Sequence, residues 1–141
     1  MTVKFRVDGD PKPQPRVRRS RQGGVYTPTT ADGWRMLIAA AIRELNLSDP
    51  TAWRLPLGDH IHMSMTFMFR RPKSHMGKRG LRKSAPVHHT SKPDVDNLCK
   101  LVMDVCTQMR VYNDDSQVIG LSASKRFARN DELPGVSVCL W

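Results

Sequence analysis

The segment HIHMSMTFMF, residues 60–69, constrains the fold more than any other part of the chain. Five of its six apolar residues share one parity, and polar residues mostly separate them: Ile61, Met63, Met65, Phe67 and Phe69. Successive side chains of a β-strand point to opposite faces, so this pattern predicts a strand with one face buried. Such a face must be covered by a second layer, and helical segments on both sides of it in the sequence are the candidates.

Two segments carry apolar residues at helical spacing. The first is predicted to begin at a cap on Thr29 or Thr30 and to run to about Leu45, with apolar positions at Trp34, Leu37, Ile38, Ala41, Ile42 and Leu45. The second is predicted from about Asp94 to Met109, burying Val95, Leu98, Cys99, Val102, Cys106 and Met109.

Shorter alternating segments predict three more strands, at residues 3–7, 119–127 and 136–140. The last two are expected to form a hairpin through residues 130–135, and residues 48–58 are expected to be a connection. The order β-α-β-α-β-β indicates an α+β fold in which one mixed sheet packs with two helices. A chain of 141 residues suits a single domain spanning 1–141.

The chain is strongly basic, with 23 Lys and Arg against 13 Asp and Glu and a formal net charge of +10. Many of the cations lie in two segments, a basic arm at residues 11–25 and a basic loop at residues 70–91. The cations expected to contact nucleic acid are Lys12, Arg16, Arg18, Arg19 and Arg21 in the arm, and Arg70, Arg71, Lys73, Lys78 and Arg79 in the loop. Such a positive field attracts the phosphates of nucleic acid. The alternative is that both segments are ordinary solvated loops.

Five aspartates within this basic chain fall between Lys92 and Val118: Asp94, Asp96, Asp104, Asp114 and Asp115. Clustered carboxylates would repel a polyanion unless a hard divalent cation such as Mg²⁺ or Mn²⁺ neutralised them. A basic protein with one acidic cluster therefore indicates a metal-dependent nuclease.

The backbone around Pro93 bears on how two of these carboxylates could meet. Residues i and i+2 point the same way in extended backbone but not in a helix, so Asp94 and Asp96 can converge at a loop-to-helix junction. Pro93 favours such a junction. Either aspartate alone could instead be a helix N-cap.

Further along the predicted helix, Asp96, Lys100 and Asp104 share one polar stripe. Lys100 could orient a scissile phosphate or stabilise charge in the transition state. Asp104 either belongs to the site or forms a salt bridge with Lys100, and Asn97 either contacts a metal-bound water or caps the helix.

In the downstream pair, neighbouring side chains diverge in extended backbone, so only one of Asp114 and Asp115 is expected to be a direct ligand. Both are also common turn residues. His88 or His89 could approach the phosphate or the metal-bound water, whereas His60 and His62 are expected to be surface histidines.

Three cysteines without a C-x-x-C pair predict reduced thiols and a cytoplasmic protein, with Cys99 and Cys106 packed in the interior. No segment resembles a signal peptide or a membrane span, so no membrane partner is expected. Met63, Met65 and Met68 are expected to be exposed and are candidates for a subunit interface.

The segments HTSKPDVDNLCKLVMDV and VYNDDSQV together resemble the signature of the RusA-type Holliday-junction resolvases, which are common in bacteriophages and prophages. The stretch PKPQPRVR leading to VYTP is similar to the beginning of that family, and the resemblance extends from about Val3 to Phe127. It implies a homodimeric, Mg²⁺- or Mn²⁺-dependent endonuclease that makes paired nicks in four-way DNA junctions during recombination and repair. It places this activity in the cytoplasm of a bacterial or phage-infected cell, with no small-molecule substrate.

The resemblance assigns the essential carboxylates to Asp94, Asp96 and Asp115, and the functional lysine to Lys100. Asp104 and Asp114 match further acidic positions of the family. Two alternatives stay open: a nuclease that cuts flaps and other branched DNA more broadly, and a non-catalytic basic protein that binds junctions.

Overall fold

The structure is a computed structural model that describes residues 2–48 and 55–141. Its elements in chain order are β1 (Val3–Asp8), β2 (Arg18–Arg19), β3 (Val25–Tyr26), α1 (Asp32–Ser48), β4 (Ile61–Phe69), β5 (Met76–Gly77), β6 (Gly80–Leu81), α2 (Val95–Gln108), β7 (Val118–Phe127) and β8 (Gly135–Leu140). Apart from two small ribbons, this is the predicted β-α-β-α-β-β order, and the α+β fold class is confirmed. The predicted connection at 48–58 lies mostly outside the described residues. Among the described residues, no helix is long and apolar enough to cross a membrane.

The main sheet has the strand order β1-β8-β4-β7. β8 pairs antiparallel with both β1 and β4, while β4 and β7 are parallel, so the sheet is mixed as predicted. Val138, for example, lies opposite Phe5 on one side and Met65 on the other.

The predicted hairpin between the last two strands is wrong, because β4 separates β7 from β8 in the sheet. β8 contributes Val136, Val138 and Leu140 to the core, and this apolar face is best buried in the middle of the sheet. The connection after β7 therefore crosses the end of β4, where Ala128 N–H donates to the Phe69 carbonyl at 2.8 Å. The turn residues at 130–135 were identified correctly, but they join strands that do not pair.

The inner face of β4 is the centre of the core, as the alternation at 60–69 predicts. Ile61, Met63, Met65 and Phe67 are all buried there. The expectation that Met63, Met65 and Met68 are exposed is wrong, since all three are at most 2% accessible. The first two follow the inward parity of the strand, and the neighbouring strands on both sides of β4 leave little room for water around the third.

Both helices pack against this core. α1 contacts β1 and α2, and α2 also contacts β7. α1 begins at Asp32, after a turn in which the Asp32 N–H donates to the Thr29 carbonyl at 3.1 Å. α2 matches its prediction to within one residue at each end. It also buries Leu101 and Val105, because it has neighbours on two flanks.

The two basic segments lie outside the main sheet and are tied down locally. The arm at 11–25 forms the two-residue ribbon β2–β3. The loop at 70–91 contains a short 3-10 helix, Lys73–His75, and the ribbon β5–β6.

Candidate active site at the start of helix α2

The predicted loop-to-helix junction is present at the start of α2. Asp94 is the N-cap residue and has extended backbone, with φ −71° and ψ 144°. Its carbonyl accepts the first helical hydrogen bond, from Leu98 N–H at 3.1 Å, but its carboxylate makes no capping hydrogen bond. Asp94 and Asp96 are both exposed. The alternative role of the Asp94 side chain as a cap is therefore not realised, and the carboxylate is available for another partner.

The polar stripe of α2 continues with Lys100, which is exposed, and Asp104, which is half-buried. Among the described residues, Lys100 forms no ion pair with Asp96 or Asp104. The salt bridge considered for Asp104 is thus absent from this part of the chain, and the ammonium group of Lys100 faces solvent.

Tyr112 links the stripe to the downstream acidic pair. It is fully buried, and its hydroxyl donates to the Met103 carbonyl at 3.2 Å. Burial raises the pKa of Tyr112, and the nearby charges of Asp115 and Asp104 raise this pKa further. The charges of Asp104 and Asp115 thus both act on the hydroxyl of one tyrosine.

The turn that carries Asp114 and Asp115 is held by a capping box. Asp114 Oδ1 accepts a hydrogen bond from Ser116 N–H at 2.8 Å, and this bond is the main reason that the pKa of Asp114 is lowered. Asp115 is the first residue of a 3-10 helix, Asp115–Gln117, and is exposed. Because Asp114 already serves as a cap, its geometry supports Asp115 as the ligand from this pair.

Gln117 provides the second half of the capping box, and its role was not predicted from the sequence. Its Oε1 accepts from Asn113 N–H at 2.8 Å and from Asp114 N–H at 3.1 Å. Its Nε2 donates to the carbonyls of Asp59, at 2.9 Å, and Leu57, at 3.3 Å. The D-x-x-Q spacing from residue 114 to residue 117 is a capping-box signal and could have identified this glutamine.

Lys125 on β7 is a second residue that was missed. Its Nζ donates to the carbonyl of Ser91 and, at 2.8 Å, to that of Pro93. These carbonyls flank the cis Lys92–Pro93 peptide and come just before Asp94. The sequence did contain a signal, because Lys125 has the same strand parity as the apolar residues Ala123 and Phe127.

His89, a candidate for contact with the phosphate or metal-bound water, lies in an aromatic cluster. Its ring stacks on Phe69, with centroids 4.1 Å apart, and meets Phe127 edge-on at 5.0 Å. Burial lowers the pKa of His89, and the charge of Lys125 lowers it further, so the neutral imidazole is favoured. The packing gives His89 a structural role, while His60 lies edge-on to His62, whose ring stacks on that of Trp141.

A cleft of roughly 780 Å³ opens beside Asp94 and Asn97, and the basic arm forms its other wall. Four cations line it, together with several proline rings: Lys12, Arg16, Arg18 and Lys92. Gln14 N–H donates to the Asn97 carbonyl at 3.1 Å, and Arg35 donates to the Gln14 side chain, so the arm is attached to both helices. Three of the predicted DNA-binding cations of the arm therefore lie next to the first predicted catalytic carboxylate. The remaining two, Arg19 and Arg21, are exposed outside the cleft.

The cations of the basic loop have different environments. Arg70 pairs with Asp10 at 3.3 Å on the surface. Arg71 donates to the carbonyls of Ala128, at 2.7 Å, and Pro86, at 2.8 Å, and its guanidinium lies 5.3 Å from the centre of the Phe127 ring. These contacts give Arg71 a structural role within the loop. Three other predicted DNA contacts are exposed: Lys73, Lys78 and Arg79.

The donor chemistry at the start of α2 suits a hard divalent cation, since such ions prefer carboxylate oxygens. In the ranges 2–48 and 55–141, Asp94, Asp96 and Asp115 form no ion pair with a basic side chain. Within the same ranges, no three His, Cys, Asp or Glu side chains are grouped closely enough to hold a metal ion. The carboxylates thus fit the ion by their chemistry, and binding it would require side-chain rearrangement.

The three cysteines are free thiols. Burial raises the pKa of Cys99 to about 11, with a further contribution from Asp96, and the pKa of Cys106 to about 12. Both thiols are buried in the core, as predicted, and are unsuited to metal binding.

Comparison with known proteins identifies the family to which this chain belongs. A sequence model of the family described as Endodeoxyribonuclease RusA matches residues 8–140. A crossover junction endodeoxyribonuclease rusA of Lactococcus phage r1t is 53% identical over 36 residues, which make up 26% of this chain and 28% of the phage protein. The uncharacterized protein YqaN of Bacillus subtilis (strain 168) is 31% identical over 145 residues, covering 98% of this chain and 94% of YqaN. The chain therefore belongs to the RusA endodeoxyribonuclease family.

Proposed function

We propose that this protein is a metal-dependent endodeoxyribonuclease that resolves four-way DNA junctions by paired phosphodiester hydrolysis. The observation that carries the proposal is the exposed carboxylate pair Asp94 and Asp96 at the start of α2, which borders a cleft lined by cations. The name of the phage relative supports the choice of a crossover junction as the substrate.

In this proposal Asp94, Asp96 and Asp115 hold Mg²⁺, for which Mn²⁺ can substitute. The ion would supply a bound water of lowered pKa and positive charge for the phosphate. The free N–H groups and the dipole of α2 favour negative charge at its first turn, which supports carboxylates at this position. Lys100, one turn beyond Asp96, would add positive charge beside the scissile phosphate.

The basic arm is proposed to hold the backbone of the cleaved strand. Lys12, Arg16 and Arg18 face the cleft beside Asp94, so phosphates bound by them would lie next to the reacting one. Arg19 and Arg21, with Arg70, Lys73, Lys78 and Arg79, would contact phosphates farther away. Contacts of this kind depend steeply on salt and little on base sequence.

The proposed assembly is a homodimer. One active site cuts one strand, and resolving a four-way junction requires two symmetric cuts, which a two-fold dimer supplies. Size-exclusion chromatography with light scattering should give about twice the chain mass of 16.0 kDa.

The test compares a four-way junction, a flap and a linear duplex at one salt concentration, with Mg²⁺, Mn²⁺ or EDTA. The proposal expects paired nicks in the junction that require the metal, and little cleavage of the duplex. Equal cleavage of flaps and junctions would favour the broader branched-DNA nuclease instead. Tight junction binding without any cleavage in either metal would favour a non-catalytic binding protein and refute the enzymatic proposal.

A further inference from the structure

Lys125 occupies a position where the fold places apolar residues. It lies on β7 opposite Phe67 of β4, which is fully buried. Along β7 its neighbours on the same face of the sheet are Ala123 and Phe127. Lys125 is half-buried at this position, where hydrogen-bond acceptors stabilise its ammonium. The structure supplies two, the carbonyls of Ser91 and Pro93.

These two bonds hold a segment that has few other attachments. An isolated antiparallel bridge joins His88 to Arg126 of β7, and within the described chain no backbone-to-backbone hydrogen bond outside regular elements involves residues 90–93. The flanking bonds come from Phe127 N–H to the Val87 carbonyl on one side and from Leu98 N–H to the Asp94 carbonyl on the other. The Lys125 side chain therefore bridges the span between them and fixes it to the edge of the sheet.

We propose that Lys125 is a positioning residue, which holds the segment 91–93 so that Asp94 enters α2 beside Asp96. The inference deepens the proposed function and rests on it, since Asp94 matters only if the carboxylates act. Both donated protons are directed at backbone oxygens, so Lys125 acts through the loop. Lys100 is different, because its ammonium faces solvent on the carboxylate stripe.

The experiment uses Lys125→Met, which keeps the length of the side chain without its donors, and Lys125→Arg, which keeps charge and donors. Lys4→Met is the matched control, because it removes the charge of a strand lysine that is exposed and has no assigned role. Outer residues that orient metal-binding groups typically contribute about 10–100-fold to metal affinity or activity. We expect Lys125→Met to lower kcat for junction cleavage and to weaken Mn²⁺ binding, followed by electron paramagnetic resonance without DNA, each by about that factor.

Two further results separate positioning from general damage. Junction affinity in EDTA should stay within about 3-fold of wild type, because Lys125 is not part of the proposed DNA surface. Lys125→Arg should recover most of the kcat and Mn²⁺ affinity. Hydrogen exchange should accelerate at Leu98, whose N–H donates to the Asp94 carbonyl, in Lys125→Met and remain unchanged in β1.

The outcomes distinguish this inference from the proposed function. If the wild type cleaves and Lys125→Met matches it in kcat and Mn²⁺ affinity, the positioning role is refuted and the function stands. If the wild type neither cleaves nor binds Mn²⁺, the proposed function fails first. If Lys125→Met does not fold, Lys125→Gln replaces it, and wild-type kcat, Mn²⁺ affinity and exchange at Leu98 in that variant would overturn the inference.

Discussion

Gln117 is the residue at which the structure makes its sharpest prediction about the turn carrying Asp115. Its side chain makes four hydrogen bonds, to Asn113 and Asp114 in the turn and to Leu57 and Asp59 in the preceding segment. Gln117→Met keeps the length of the side chain and removes all four. At about 0.5–1.5 kcal/mol net for each bond, the sum is about 2–6 kcal/mol. Because several of these backbone groups lie near the surface and can bond to water, we expect the lower end, about 2 kcal/mol.

Urea denaturation followed by circular dichroism measures this loss. With an m-value of about 1.5–2 kcal/mol/M, a loss of about 2 kcal/mol lowers the midpoint by about 1 M. Gln108→Met is the matched control, since Gln108 is exposed at the end of α2 and should change stability by less than about 0.5 kcal/mol. Junction cleavage by Gln117→Met should fall, while junction binding in EDTA should be retained. Equal midpoints and equal cleavage for Gln117→Met and Gln108→Met would refute the reasoning.

Two other predictions concern groups that have no role in the proposed chemistry. In native protein only Cys139 should react with a thiol reagent, because burial raises the pKa of Cys99 and Cys106, to about 11 and about 12; three reactive thiols before unfolding would contradict this packing. Glu132→Gln should cost about 1–2 kcal/mol at neutral pH, since it breaks the paired bonds to Arg126 at 2.5 and 2.9 Å on a partly exposed surface. The hydrogen bonds from Arg126 lower the pKa of Glu132 from 4.5 to about 2, so the wild-type advantage should be complete above about pH 4.5 and disappear as the pH falls toward 2. If the difference in unfolding free energy between wild type and Glu132→Gln stayed constant from pH 6 to pH 2, this prediction would be contradicted.

The elements of the fold were predictable because each has a strong local signal. The alternation at 60–69 and the helical spacing at 94–109 match β4 and α2 closely. The order of strands was less accessible, since adjacency in the sequence favoured a hairpin between β7 and β8. Whether β8 pairs with β7 or inserts between β1 and β4 depends on which arrangement buries Val136, Val138 and Leu140. That comparison is a property of the whole sheet, which local patterns do not contain.

In the candidate site, too, features with a local sequence signal were predictable and contacts between distant segments were not. The loop-to-helix junction at Asp94 followed from Pro93 and the period of the helix, and the structure has it. The supporting contacts of Gln117 and Lys125 join segments far apart in the sequence, so their partners could not be read from spacing alone. Both residues nevertheless left local signals, one as a capping box and the other as a lysine at an apolar strand position.

The most direct test of the central claim measures cleavage and binding of a four-way junction by Asp96→Asn beside wild type in Mg²⁺. The substitution removes one carboxylate charge and preserves the size of the side chain. The account predicts that wild type makes paired nicks, whereas Asp96→Asn binds the junction at least as tightly and does not cut it. Cleavage by Asp96→Asn at the wild-type rate would contradict the assignment of the active site to the start of α2.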